Sequence, residues 1–444
     1  MKQITLEQLK QFDHNFEASR ANQLAMYAAM KNGILESAEN PEAINRTPHY
    51  FSVNIDMAKD VTNQKSSGRC WMFAALNVMR REVMKKLNLE GFELSQAYPL
   101  FWDKLEKSNL FLENIMDSLE LPLESREVAF LLKDPLGDGG QWDMFAGIVE
   151  KYGVVPKQVM PESASSSSTH VMDKFLTLKL REFACSIRNM HAKGSTAEEI
   201  RKHKDEMLST IYRMLCISLG KPPKSFVFEI KDKDNKFVRL PELTPQEFYK
   251  QYVGMDLNNY VSIINAPTKD KPYNRTYTVQ YLGSVVGGVP VKYLNLPIES
   301  LKRAAIAQLQ AGESVWFGSD VGQFSQLKSG YMVMDALDVS QLFDAKFPMS
   351  KAERLDYGES LMTHAMVLTG VNLDENGKPN RWRVENSWGE ERGNKGWYVM
   401  SDDWFDEYTY QVVIDKKYLT KEELAMLDQE MIVLKPWDPM GSLA

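Results

Sequence analysis

The sequence predicts an α+β fold, with a helical first part that carries a cysteine and a β-rich last part that carries a histidine and an asparagine. Three observations predict it. After Cys70 the apolar residues Met72, Leu76, Met79, Val83 and Leu87 recur at helical steps and form one stripe of an amphipathic helix. The runs 313–318 and 365–371 are short and apolar, of strand length. An Asn376-Gly377 turn then separates the second run from Arg381–Glu385, the pattern of an antiparallel hairpin.

Composition narrows the function classes. A chain of 444 residues with 43% hydrophobic content buries a large core and holds about two to three domains' worth of material. A net charge of −7 gives a field that does not favour nucleic acid or an anionic membrane surface. The cysteines are Cys70, Cys185 and Cys216, with no CxxC and no His/Cys set at zinc spacing. No metal, no cofactor and no disulfide framework is therefore expected. Met1–Phe16 mixes charges with Ile4, Leu6, Leu9, Phe12 and Phe16, which reads as an amphipathic helix and not a signal peptide. No run approaches about 18 apolar residues, so the expected setting is the reducing cytoplasm.

In order, residues 1 to about 50 read as helical and then irregular, with Asn40-Pro41 and Thr47-Pro48 as breakers before a short strand, Phe51–Ile55. Ser66, Ser67 and Gly68 supply turn and N-cap chemistry ahead of the Cys70 helix. The thiol then lies where orphan N–H groups and the helix dipole favour an anion, and a reactive thiolate below the free-thiol range is expected. Helical sequence through Trp102, Leu105 and Leu112 reads as core. Asp138-Gly139-Gly140-Gln141-Trp142 is either a tight turn or a place where another backbone approaches closely, and both readings stand. Gly153 ends the next helix, and Ser163–Thr169 is a serine-rich loop. Residues from about 170 to 220 are helical and charged and read as an inserted unit. Phe226–Ile230 and Lys236–Val238 form a hairpin, while 241–300 is Pro-punctuated and carries no predicted order.

Hairpin arithmetic couples two polar residues. A loop at 374–378 pairs residues whose numbers sum to about 752, which sets Asn386 beside His364. A thiol needs a base for its proton, and the base needs a third group to fix its tautomer, so Cys70, His364 and Asn386 fit those roles. An oxyanion needs donors, and the Cys70 backbone N–H and the side chain of Gln64, six residues upstream, could supply them.

Gln64…Ser67-Gly68-Arg69-Cys70-Trp71, Thr363-His364-Ala365 and Glu385-Asn386-Ser387-Trp388-Gly389 resemble the motifs of papain-type cysteine peptidases. Along nearly its whole length the chain resembles the bleomycin hydrolase and bacterial aminopeptidase C branch. The resemblance implies a papain-like two-lobed core, a helical lobe plus a β-barrel-like lobe, with a large helical insertion and an N-terminal arm. It implies that Cys70 is the nucleophile, His364 the base and then acid, Asn386 its orienter and Gln64 the oxyanion donor. Trp388 resembles the indole that covers the His–Asn bond, and Gly139-Gly140 the pair whose backbone lines the substrate cleft. Peptide substrates and a homohexamer with inward-facing sites are implied as well. So is a C-terminal tail, 436–444, lying in the cleft, where the Ala444 carboxylate meets a substrate's α-ammonium.

The expected division is 1–55 arm, 56–165 helical lobe, 166–285 insertion, 286–435 β-rich lobe and 436–444 tail. Two departures from secreted papain-like enzymes are informative. Ser67 and Arg69 stand where their Cys-Gly-Ser-Cys-Trp pattern has its first Cys and its Ser, so that disulfide cannot form. His364 follows Cys70 by 294 residues, against about 130–150 in that group, and the excess matches the material near 165–300. The 69 residues before Cys70 merge into the apparent core, so no cleavable pro-segment is expected. An endopeptidase on the same scaffold, or an inactive shell or binding protein, remains an alternative to an aminopeptidase.

Overall fold

The apolar stripe that follows Cys70 builds the expected helix, Cys70–Leu87, and Met72, Leu76, Met79, Val83 and Leu87 are all buried along it. In this computed structural model, which describes residues 1–55 and 60–443, that helix packs against a large sheet. The helix Ala97–Asp117 and the helix Trp142–Tyr152 complete the helical wall, and Gly153 caps the latter at φ 74°. Tyr98, Phe101, Phe111 and Leu112 are buried in it, while Trp102 stacks on Tyr152 with ring centroids 4.0 Å apart.

The sheet has twelve strands. Strand His364–Leu373 pairs on one side with Val315–Ser319 and on the other with Pro379–Glu385, and Trp397–Ser401 continues beyond. The hairpin register runs Val367↔Glu385 and Leu368↔Val384, as the 374–378 loop requires. Val53–Asn54 is the short strand expected near Phe51–Ile55, and it pairs with Val371 and Gly370. Tyr260–Ile264, Arg275–Val279 and Tyr293–Asn295 also belong to this sheet, partly through parallel pairings. Two of those strands fall inside the 166–285 stretch, so sheet and insertion interleave along the chain. The final strand, Ile432–Leu434, runs parallel to Arg275–Val279 at the sheet's edge.

The helical segment near 170–220 is a pair of long helices, His170–Ala192 and Ala197–Leu219, followed by the hairpin Phe226–Lys231 and Phe237–Leu243. Ser163–Thr169 is less of a loop than its composition predicts. Ser163 caps a single helical turn, Ala164–Ser167. Likewise Pro41 does not break a helix but starts one, Pro41–Asn45, with Asn40 as its N-cap, because proline at the first helical position loses no hydrogen bond. The N-terminal helices Leu6–Glu17 and Arg20–Asn32 bury no residue at all.

Candidate active site

Cys70 is the first residue of its helix, but the cap differs from expectation. Arg69 occupies the N-cap position and no side chain caps the helix. Ser66–Gly68 serve the loop instead. Gln64 Nε2 donates to Ser67 O at 2.6 Å, Ser67 Oγ donates to Gln64 O at 2.6 Å, and Arg69 Nε donates to Ser67 Oγ at 2.8 Å. The Arg69 guanidinium is fully buried and makes a two-pronged pair with Glu162, at 3.0 and 2.8 Å.

A second ionic assembly lies beside it. Gly68 N–H donates to Asp138 Oδ2 at 2.8 Å, and the Trp71 indole N–H donates to Asp138 O at 2.8 Å. Lys104, fully buried, pairs with Asp138 Oδ1 at 2.7 Å and with Asp173 Oδ1 at 2.9 Å. Lys107, one helical turn on, donates to Gly137 O at 3.0 Å and Gly139 O at 2.6 Å. At Gly140 what approaches closely is a side chain and not another backbone. A Cβ there would stand 2.5 Å from the Trp71 indole.

On the sheet wall, His364 Nε2 and Asn386 Oδ1 are 2.8 Å apart, and the Trp388 indole stacks on the imidazole with centroids 4.7 Å apart. Ser387 ties this pair to the nucleophile loop. Its N–H donates to Asn386 Oδ1 at 2.7 Å, and its hydroxyl donates to Gln64 Oε1 at 2.6 Å. With Oε1 occupied, the Gln64 amide group turns its N–H side toward the Ser67 and Cys70 end of the loop. Gln64 N–H in turn donates to Ser387 O at 2.8 Å.

The walls meet at the thiol. The Ala365 backbone N–H, next to His364, and the amides of Cys70 and Trp71 all favour a thiolate, yet burial outweighs them and pushes the Cys70 thiol up to about 11. Burial likewise pushes the His364 imidazole down to about 4, against the opposing pull of Asn386. This corrects the expected low-titrating thiolate. The helix start lies where the sequence puts it, but Cys70 is only 2% exposed, and a closed cleft desolvates both charged forms.

The chain's own end reaches both walls. Gln141 Nε2 donates to Ser442 O at 2.8 Å, and Ser442 Oγ donates to Met362 O at 2.6 Å, two residues before His364. Leu443 lines a cavity of about 510 Å³ together with Gly139, Phe111, Met144 and Val279. Ala444, expected to carry the terminal carboxylate into the cleft, lies outside the described residues. Among the described residues no group of His, Cys, Asp and Glu could hold a metal ion, and no helix is long and apolar enough to cross a membrane.

Sequence reasoning gave no role to Ser387, Arg69, Lys104 or Asp173. A usable signal existed for Lys104. It falls on the buried stripe of its helix with Leu100, Phe101 and Phe111, where a lysine needs carboxylate partners.

Comparison with known proteins gives a consistent result. Residues 3–441 match the model of the Peptidase C1-like family. Aminopeptidase C of Listeria monocytogenes is 50% identical over 442 residues, covering 100% of this chain and 99% of that protein. Human bleomycin hydrolase is 45% identical over 429 residues, covering 95% of this chain and 94% of its own length. A crystal structure of PepW from Lactobacillus rhamnosis superposes with a TM-score of 0.97 at 52% identity, covering 100% of this chain and 99% of that one.

Proposed function

We propose, from the premise that this chain belongs to the Peptidase C1-like family in its aminopeptidase C and bleomycin hydrolase branch and is a cysteine-type peptidase, that it releases N-terminal residues from peptides through a thioester acyl-enzyme in the cytoplasm. The observation that carries the chemistry is that Cys70, at a helix start, meets the backbone N–H of Ala365, the neighbour of the His364 that lies 2.8 Å from Asn386. Cys70 attacks the carbonyl carbon of the first peptide bond while His364 takes the thiol proton. His364 returns that proton to the leaving amine, and the acyl group stays on sulfur as a thioester. Water then attacks the thioester, with His364 again as base, and the thiol is regenerated.

The oxyanion formed in each step is received by the Cys70 backbone N–H and the Gln64 amide, whose orientation the Ser387 hydroxyl supports. Asn386 holds the imidazole tautomer, and Trp388 shields that hydrogen bond from water. Backbone at Gly139-Gly140 lines the substrate's path. The neutral thiol and imidazole of the closed cleft imply that proton transfer accompanies attack, or follows entry of substrate and solvent.

Exopeptidase action is supported by the tail. Ser442 and Leu443 take up room beside Gly139 that a longer peptide would need on the non-primed side. The Ala444 carboxylate would meet the substrate's α-ammonium, a charge-assisted contact worth about 1.5–3 kcal/mol. The decisive assay sets an unblocked against an N-blocked fluorogenic peptide. Turnover of the unblocked peptide alone supports this reading, and equal turnover of both favours an endopeptidase.

We read the protein further as a homo-oligomer, with a hexamer as the family expectation. Phe12, Leu24 and Tyr27 are 54%, 58% and 62% exposed on helices that bury nothing within the chain, so their apolar faces suit a second copy. Sedimentation at micromolar concentration tests this. A stable 50.9 kDa species would rule assembly out.

A further inference from the structure

Upstream of Ser442 and Leu443 the tail is gripped by groups other than those around Cys70. After the edge strand Ile432–Leu434, Pro436 is buried and Trp437 lies over Arg126, with the guanidinium carbon 3.7 Å from the ring centroid. Asp438 then does two things at once. Its Oδ1 accepts the Met440 N–H at 2.8 Å and starts a short 3-10 turn, Pro439–Gly441, while its Oδ2 pairs with Lys271 at 3.0 Å. Lys271 is only 2% exposed, and the buried Asn295 amide holds its backbone carbonyl at 2.7 Å. Gly441 rests on Val279, where a Cβ would come within 3.1 Å of the valine methyl. None of these groups touches Cys70, His364, Asn386 or Gln64.

We propose that the Lys271–Asp438 ion pair and the Arg126–Trp437 stack form a latch that sets how much of the time the tail occupies the cleft, and so set the ratio of exopeptidase to endopeptidase action. The inference rests on the tail-gated aminopeptidase reading above. Occupied and vacated clefts are two states, and each anchor contributes only to the occupied one. A nearly dry ion pair is a strong anchor of this kind: removing Lys271 leaves the buried Asp438 carboxylate without a cation, while removing Asp438 leaves Lys271 only its 2.8 Å pair with the exposed Asp270. A guanidinium over an indole adds a weaker, separable contribution. Specificity is thereby written into residues that never meet the substrate. Anything that loosens the latch widens the substrate range from free N-termini to internal bonds, with the catalytic residues untouched.

The test compares kcat/KM for one N-blocked and one unblocked fluorogenic peptide in the full-length enzyme and in variants. Lys271→Met should raise the blocked-to-unblocked ratio at least about tenfold, and Asp438→Asn, which keeps a capping acceptor and leaves Lys271 its pair with Asp270, should raise it by less. The double variant should rise no further than the larger single change, since both act through one pair. Arg126→Ala, at an exposed position, should raise the ratio about two- to fivefold and should add to either single change. It decides the matter if Lys271→Met does not fold. Deletion of residues 441–444 sets the upper limit. If that deletion raises the ratio while the latch variants stay at the wild-type value, the latch is wrong and the tail reading stands. If the deletion itself leaves the ratio unchanged, the tail reading fails, and the latch with it.

Discussion

On the helical wall Cys70 follows a buried guanidinium, and a buried ammonium pairs with the Asp138 carboxylate that meets the Gly68 N–H, whereas on the sheet wall His364 is held by an amide, a backbone ladder and an indole. The difference follows from what each stretch of backbone has to lean on. Residues 64–69 and 134–139 are irregular, so few ladder or helix bonds fix them, and side-chain charges from Glu162, Lys104, Lys107 and Asp173 do so instead. His364 and Asn386 flank paired strands, and the register alone brings them together. One wall is therefore costly to break at a single charge, and the other at a single slip of register.

Variants at each wall sharpen this contrast, beginning with the largest effect. His364→Ala should lower kcat/KM by about 10⁴-fold while the enzyme stays folded, and Asn386→Ala should cost less because it disorients the base without removing it. Steady-state kinetics beside circular dichroism checks both. Arg69→Leu should instead cost about 3–5 kcal/mol of stability by leaving Glu162 without its partner, read by denaturant unfolding. An Arg69→Leu enzyme as stable as wild type would abolish the distinction between the walls.

Gln64 bridges the two, since its amide is held by Ser67 on one side and Ser387 on the other. On the proposed oxyanion role, Gln64→Ala should lower kcat by about 10²–10³-fold while the enzyme stays folded, since it removes hydrogen bonds and no charge.

The smallest effect concerns pH. Desolvation and the neighbouring Asp138 carboxylate push Asp173 up to about 7, with Lys104 opposing them. Between its ordinary 3.8 and about 7 the folded chain keeps a proton that the unfolded chain releases, so this group's stabilisation is lost as pH rises through that window. His364 has the opposite sign. Held down at about 4 from an ordinary 6.5, it costs stability as pH falls through that range. Asp173→Asn cannot ionise, and its plot of stability against pH should therefore tilt upward relative to wild type between about pH 4 and 7, by at most about 1.4 kcal/mol per pH unit. An unchanged slope would show that folded Asp173 holds no extra proton there.

The same contrast explains what the sequence disclosed. Local rules reach the sheet wall, since an Asn-Gly turn and two apolar runs set the register that joins His364 to Asn386. They also reach the Cys70 helix, whose stripe is regular. They do not reach Asp173, because an aspartate on a charged helix looks like surface until another element covers it, and they mark Lys104 only by its place on a buried stripe. The strands Tyr260–Ile264 and Arg275–Val279 stayed unordered for a related reason. Their pairings with Tyr293–Asn295 and Ile432–Leu434 are partly parallel and join distant segments, a relation with no local mark. The upward push on the thiol has no local mark, because burial comes from the packed walls, and helix position alone argues for the anion.

The seat of Leu443 has a consequence for the order of events in synthesis. A ribosome delivers the chain from its N-terminus, so both walls, His364 and Asn386 included, emerge before Pro436–Leu443 exists. Insertion of the tail is then the final step of maturation, and the quenching of Trp437 as it stacks on Arg126 would time it.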